Sequence, residues 1–274
     1  MNSQNCKEWP LPSEKPEYEG LSSERLAVVA PCLQKYIDSE MVSNLAAIVL
    51  RHGKVVYYEA SGYMDLQSKK PIAKDTLYRL YSNTKPITGA AVMICVEEGL
   101  LNLDDAVAKY IPAFKNQRVR IPSGQGRILP ATVPVERDMT IRDCLRNTTG
   151  LATAKRAPLS YLTEYKELLP KTALLVGQGY PRYSIWETVN AIAQIPLESQ
   201  PGTEFEYHVG YPIIGIILEM VTGKTLEEFY QERIFRPLGM KDTSFYLSQE
   251  KLNRYPTLYK PVFKNGIHKL IPVS

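Results

Sequence analysis

Histidine is scarce here: His52, His208 and His268 are the three in 274 residues, and no G-x-S-x-G run occurs. Both absences argue against a serine nucleophile on a strand-to-helix elbow and against a Ser-His-Asp triad. Cysteine is equally thin. Cys6, Cys32, Cys95 and Cys144 form no C-x-x-C pair and no metal-ligand spacing. No metal or organic cofactor is implied. Cys32, Cys95 and Cys144 sit in apolar helical contexts and read as small core residues, free thiols suited to a reducing compartment. No apolar run is long enough to span a bilayer, and the polar, Pro-rich stretch before residue 20 lacks a charged-then-apolar leader. The expectation is a cytoplasmic protein with no membrane partner. A net charge of +4 without blocks of like charge gives no case for nucleic acid. Arg118, Arg120 and Arg127 read as a solvated loop.

Residues 1–20, with Pro10, Pro12 and Pro16, read as an arm. Leu26, Val29, Leu33, Tyr36 and Ile37 recur at helical spacing, with Ser22 or Ser23 as the cap and a kink expected at Pro31. Two β-rich runs, 45–50 and 55–60, flank a turn at Gly53 and predict a hairpin, with loop from Gly62 to Asp75. A helix follows over 86–98, with Ile87, Ala90, Ala91 and Ile94 on one face and Gly99 at its end. Residues 115–138 read as loop, long enough to suggest function. Shorter helices are predicted at 141–145, 186–195, 211–222 and 226–235, and an extended hairpin around Gly266. A hairpin followed mostly by helices argues for an α+β fold with segregated elements.

Ser82-Asn83-Thr84-Lys85 is an S-x-x-K tetrad at the start of the 86–98 helix. Residues three apart share a helical face, so the lysine amine can reach the serine hydroxyl. A serine hydroxyl attacks only when a base takes its proton. A lysine is that base only when its amine is neutral, which demands desolvation or a nearby cation and hence a preorganised, partly dry site. The bland reading of the same residues is a helix cap beside an exposed lysine. A second tetrad, Ser248 to Lys251, lies in a polar stretch with no apolar helix behind it and reads as chance.

Context separates the two tetrads. The stretch from Thr76 to Thr88, followed by Glu97 to Asp105, resembles the nucleophile region of class C β-lactamases. It is similar also to DD-peptidases, family VIII carboxylesterases and lovastatin-type acyltransferases. Further blocks resemble the same superfamily in the same order: Leu21–Leu26, Arg51–Tyr57, Met139–Leu145 with Thr148–Leu151, Pro201–Tyr207 and Pro237–Thr243. Together they cover nearly all of residues 21–246.

The resemblance implies a β-lactamase/DD-peptidase-like α+β fold, an antiparallel sheet packed with helices plus a mainly helical region. It divides the chain into the arm 1–20, an α/β region from 21–80 and 222–274, and a mainly helical region, 81–221, carrying the motifs. It implies Ser82 as nucleophile, with Lys85 and Tyr207 handling the proton. Which of the two is the base stays open, because coupled groups titrate as a pair. The family's Tyr-x-Asn motif is Tyr207-His208-Val209 here, so His208 and Val209 are expected beside substrate. An apolar Val209 cannot make the asparagine's amide hydrogen bond, a departure shared with the esterase and acyltransferase branches. Asn147 is expected to be structural. The implied activity is an acyl-enzyme serine hydrolase acting on small to medium acyl esters. Alternatives are a penicillin-recognising β-lactamase or DD-peptidase, or an inactive fragment or scaffold.

The superfamily's late Lys-Thr-Gly or His-x-Gly strand motif has no match before Ser274. The resemblance therefore implies that the C-terminal third is missing, the sheet is incomplete, and a complementing C-terminal segment or second chain supplies the rest. Ser82's own amide would give one oxyanion donor. The other would come from the missing strand, and losing such a donor typically costs about a hundred- to a thousandfold in rate.

Overall fold

The computed structural model describes residues 11–121, 131–151, 184–207, 210–264 and 267–273. The chain divides into two compact units, one from residues 1–80 with 241–274 and one from residues 81–240.

In the first unit, helices α1 (Ser23–Leu26) and α2 (Val29–Asp38) replace the single kinked helix expected there. Ser22 caps α1 by accepting the Arg25 N–H. The break falls at Ala27 and Val28, ahead of Pro31, which sits in the first turn of α2 where its missing N–H leaves no helical bond unmade. Strands β1 (Asn44–Arg51) and β2 (Lys54–Asp65) form the hairpin. Its turn residues His52 and Gly53 take φ of 49° and 75°, the pairing that matches strand twist. β2 runs past the expected loop start at Gly62. There φ is 96°, and a Cβ would lie 2.3 Å from the Ser43 carbonyl oxygen, so only glycine lets the strands close.

β3 (Lys70–Pro71) extends the sheet to the order β1-β2-β3. Among the described residues β1 pairs only with β2. A separate hairpin, β6 (Tyr259–Lys264) with β7 (Ile267–Pro272), is tied to the end of β2. The Tyr259 hydroxyl donates to Asp65 at 3.0 Å and accepts the Leu66 N–H at 2.9 Å. The second tetrad ends in Lys251, whose amine donates to the Lys241 carbonyl at 2.6 Å and pairs with Asp242 at 3.3 Å.

The second unit is built on α3 (Thr84–Glu97), α4 (Ile141–Arg146), α5 (Ile185–Ile192), α6 (Gly210–Thr222) and α7 (Leu226–Tyr230). The buried face of α3 is Thr88, Ala91, Val92 and Cys95, rotated from the expected one, and Ala90 is exposed. The reason is Tyr230, which is fully buried and donates its hydroxyl to Thr88 at 2.9 Å, drawing that polar position inward. Ile213, Ile214, Ile217 and Leu218 of α6 complete the core. Each such side chain contributes about 1.5–3 kcal/mol on burial.

Part of the expected loop 115–138 is the small ladder β4 (Arg118–Arg120) with β5 (Thr132–Pro134). Arg120 is only partly exposed, because it pairs with the half-buried Glu198. Arg127 lies outside the described residues. Cys95 and Cys144 are buried as expected, whereas Cys32 is exposed because its face of α2 points away from the sheet.

Candidate active site

The second unit carries all the described candidate residues. Ser82 lies in a 3-10 turn, Tyr81–Asn83, that leads directly into α3. Tyr81 enters that turn with φ 45° while its ring is 69 % exposed. A bulky residue in the left-handed region is strained and buries little in return. Lys85 then stands one turn on, and its Nζ donates to Ser82 Oγ at 3.0 Å.

Tyr207 arrives from elsewhere in the unit, on a mount fixed by α4. Thr140 caps α4 in a reciprocal box with Asp143, whose carboxylate also accepts two bonds from Arg137 at 2.6 and 2.9 Å. Burial would raise the Asp143 carboxyl. Arg137 and the Thr140 donors outweigh burial, and its pKa lies below the ordinary value. Asn147 ends α4 with φ 56°, the structural role expected of it. Its carbonyl accepts the Glu206 N–H at 2.8 Å, Thr148 accepts from Gly202 at 2.7 Å, and Gly150 accepts from Glu198 at 2.7 Å. The segment 198–206 is thus laced to the residues after α4, and Tyr207 follows at its end. Gly210 locks the next step, since a Cβ there would lie 2.4 Å from the Cys144 carbonyl oxygen.

The Lys85 amine lies 4.5 Å from the centre of the Tyr207 ring and 5.3 Å from that of Tyr211, in the first turn of α6. Hydrogen bonds from Lys85, then from Ser82, hold the Tyr207 phenol below its ordinary value of 10.0. Burial, with the nearby Tyr207 charge, pushes Tyr211 the other way. A hydroxyl, an amine and an acidified phenol in mutual reach can pass a proton from the serine.

Ser82 is exposed, Lys85 half-buried and Tyr207 44 % exposed among the described residues. His208 and Val209 lie outside the described residues. Tyr81 and Tyr211 were not foreseen as site residues. A strained tyrosine leaves no mark in a sequence pattern, and Tyr211 reaches Lys85 only because the first turn of α6 comes to the site. Among the described residues no cluster of three or more His, Cys, Asp or Glu could hold a metal, and no helix is long and apolar enough to cross a membrane.

An antiparallel sheet with helices in one unit, and in the other a set of helices led by a Ser-x-x-Lys turn, make up the β-lactamase/DD-peptidase-like fold. The chain belongs to the Beta-lactamase family, whose model matches residues 29–272. It is 30% identical over 228 residues to Protein Rv1367c of Mycobacterium tuberculosis, covering 83% of this chain and 54% of that protein. It is 31% identical over 199 residues to Esterase EstB of Burkholderia gladioli, covering 73% and 46%. Among solved structures it is similar to EstCE1, described as a hydrolase with promiscuous acyltransferase activity, at 28% identity and TM-score 0.69, covering 91% of this chain and 58% of that one. The chain spans about half the length of the curated relatives it matches.

Proposed function

We propose that this protein is a serine hydrolase that forms an acyl-enzyme on ester substrates of small to medium acyl groups and passes the acyl group to water or an alcohol. The observation that carries the reading is the 3.0 Å bond between Lys85 Nζ and Ser82 Oγ, with the acidified Tyr207 beside both. Ser82 Oγ forms a bond to the ester carbonyl carbon while its proton passes to the Tyr207–Lys85 pair. The tetrahedral adduct collapses, the ester oxygen leaves, and the pair returns the proton to it as alcohol. Water or a second alcohol then repeats the sequence on the acyl-enzyme.

Ester chemistry is favoured over β-lactam hydrolysis on two grounds. EstB and EstCE1 are described as an esterase and a hydrolase with acyltransferase activity. Position 209 is valine, which offers no amide to a substrate side chain. Substrate contacts by His208 and Val209, and help from a complementing segment or second chain, belong to the same proposal.

The test is a nitrophenyl ester assay of the full chain, with mass analysis after treatment with a fluorophosphonate. A burst of nitrophenol and a single adduct on Ser82, both lost in Ser82→Ala, are expected. Equal turnover by Ser82→Ala, or no adduct on Ser82, would overturn the reading.

A further inference from the structure

The Pro201-Gly202 turn rests on an ion pair. Arg137 meets Asp143 with two parallel bonds, Nη1 to Oδ2 at 2.6 Å and Nη2 to Oδ1 at 2.9 Å. The Asp143 side chain is 4 % exposed and that of Arg137 46 %, so the fork is a plate with one side open to water. Gly202 lies against that plate. Its φ is 88°, and a Cβ there would stand 2.1 Å from Arg137 Nη2 and 3.3 Å from Asp143 Oδ1. The far end of an arginine ordinarily yields to such a contact, whereas this one is held at two points. Thr148 closes the arrangement. Its hydroxyl donates to Asp143 Oδ1 at 3.3 Å, and its carbonyl accepts the Gly202 N–H at 2.7 Å.

We propose that Arg137 is a positioning residue for the hydrolase reaction: its two-point grip on Asp143 makes the plate that seats Gly202, and through that seat it sets where Tyr207 stands against Ser82 and Lys85. The proposal rests on the acyl-enzyme reading above and adds to it a residue whose described contacts all lie in the mount. From Gly202 the chain has five residues in which to reach Tyr207. One further tie guides it, the Glu206 N–H to the Asn147 carbonyl at 2.8 Å. Both ties hang on the end of α4, so a shift of the plate passes along a short tether to the phenol.

The phenol reports its own position. Hydrogen bonds with Lys85, then with Ser82, lower its pKa, and such bonds weaken as their geometry is lost. Tyr211 and Tyr230 are pushed the other way by burial, so they do not titrate in its place. The guanidinium is also specific to the seat. A lysine at 137 would keep the charge over Asp143 and lose the planar two-point fork.

The test follows two readings in the full chain. One is the ultraviolet absorbance of tyrosinate against pH, with the Tyr207→Phe curve subtracted to isolate the Tyr207 phenol. The other is the rate of Ser82 labelling by a fluorophosphonate at neutral pH. In Arg137→Ala the phenol should titrate nearer 10.0. Labelling should slow about a hundredfold, the scale of a reacting group misplaced by about 1 Å. Arg137→Lys should move both readings in the same direction. Guanidinium chloride, below the concentration that unfolds the chain, should enter the space vacated in Arg137→Ala and return both readings towards those of the unsubstituted chain. Sodium chloride at equal ionic strength should not.

A purely structural role would lower the melting temperature and leave the phenol titrating where it was. Should Arg137→Ala fail to fold, Arg137→Lys carries the test alone. A Tyr207 titration unmoved in either folded variant, or rescue by sodium chloride equal to that by guanidinium, overturns the inference. A phenol that moves as expected in a chain whose unsubstituted form gives no Ser82 adduct would instead overturn the acyl-enzyme reading itself.

Discussion

At the residue scale, the tetrad was legible and its surroundings were not. Ser82 stands in the 3-10 turn that opens α3 and Lys85 in the first turn of α3, and their spacing of three brings the side chains within reach. Tyr207 emerged only through ordered similarity, because eighteen tyrosines make any one of them unremarkable. The left-handed Tyr81 and the second ring at Tyr211 depend on contacts across the unit, which a linear pattern does not encode. The site also makes a clear prediction about charge. Hydrogen bonding from Lys85 is the leading cause of the lowered Tyr207 phenol. In Lys85→Met that cause is gone, so the phenol returns towards 10.0 and is protonated over a wider range of pH. The rising limb of ester hydrolysis should therefore shift to alkaline pH, and neutral-pH kcat/KM should fall about a hundredfold or more, the usual worth of a placed base. A limb at the same pH in Lys85→Met would show that another group titrates.

At the scale of elements, helices were foreseen more securely than the ladders between them. The helices expected at 141–145 and 211–222 are found as α4 and α6 within a residue of those bounds. The β4–β5 ladder was read as loop because its strands are three residues each and earn their place through Glu198 and Leu197, far along the chain. Element α4 matters most for the site, since the segment carrying Tyr207 hangs from its C-terminal end. Asp143→Ala removes the capping partner of Thr140 and strands Arg137. A loss of about 2–3 kcal/mol is expected in urea unfolding at neutral pH. The sign with pH follows from the depressed carboxyl. Its contribution is full above the unfolded value of ~3.9 and disappears as pH falls through the lower folded value. The gap between Asp143→Ala and the unsubstituted chain should thus narrow in acid, and a gap that widens there would contradict the ion pair. Gly210, pressed on Cys144, makes the start of α6 equally intolerant of a side chain.

At the scale of the whole molecule, the order of hairpin first and helices after was readable, and with it the α+β class. The grouping into units depends on where residues 241–274 return, which no local pattern states. Thiols offer a readout of the fold. With Cys6→Ser in place, Cys32 should react with a disulfide reagent at once, while buried Cys95 and Cys144 should wait for the second unit to open. Burial pushes the Cys95 thiol up to about 11, and Cys144 upward as well, which slows them further. Prompt reaction of all three would mean a looser core than the structure describes. The first unit has one more property worth following through time. Its β2 end is bound by Thr257 and Tyr259, so the β1–β2 hairpin is made early and finished late. At a synthesis rate of ~5–20 residues per second, the 160 residues of 81–240 occupy the ribosome for about 8–32 seconds in between. Through that interval the helical unit can fold and assemble its serine, lysine and tyrosines, while the nascent hairpin waits without the contacts that Thr257 and Tyr259 will bring to its end.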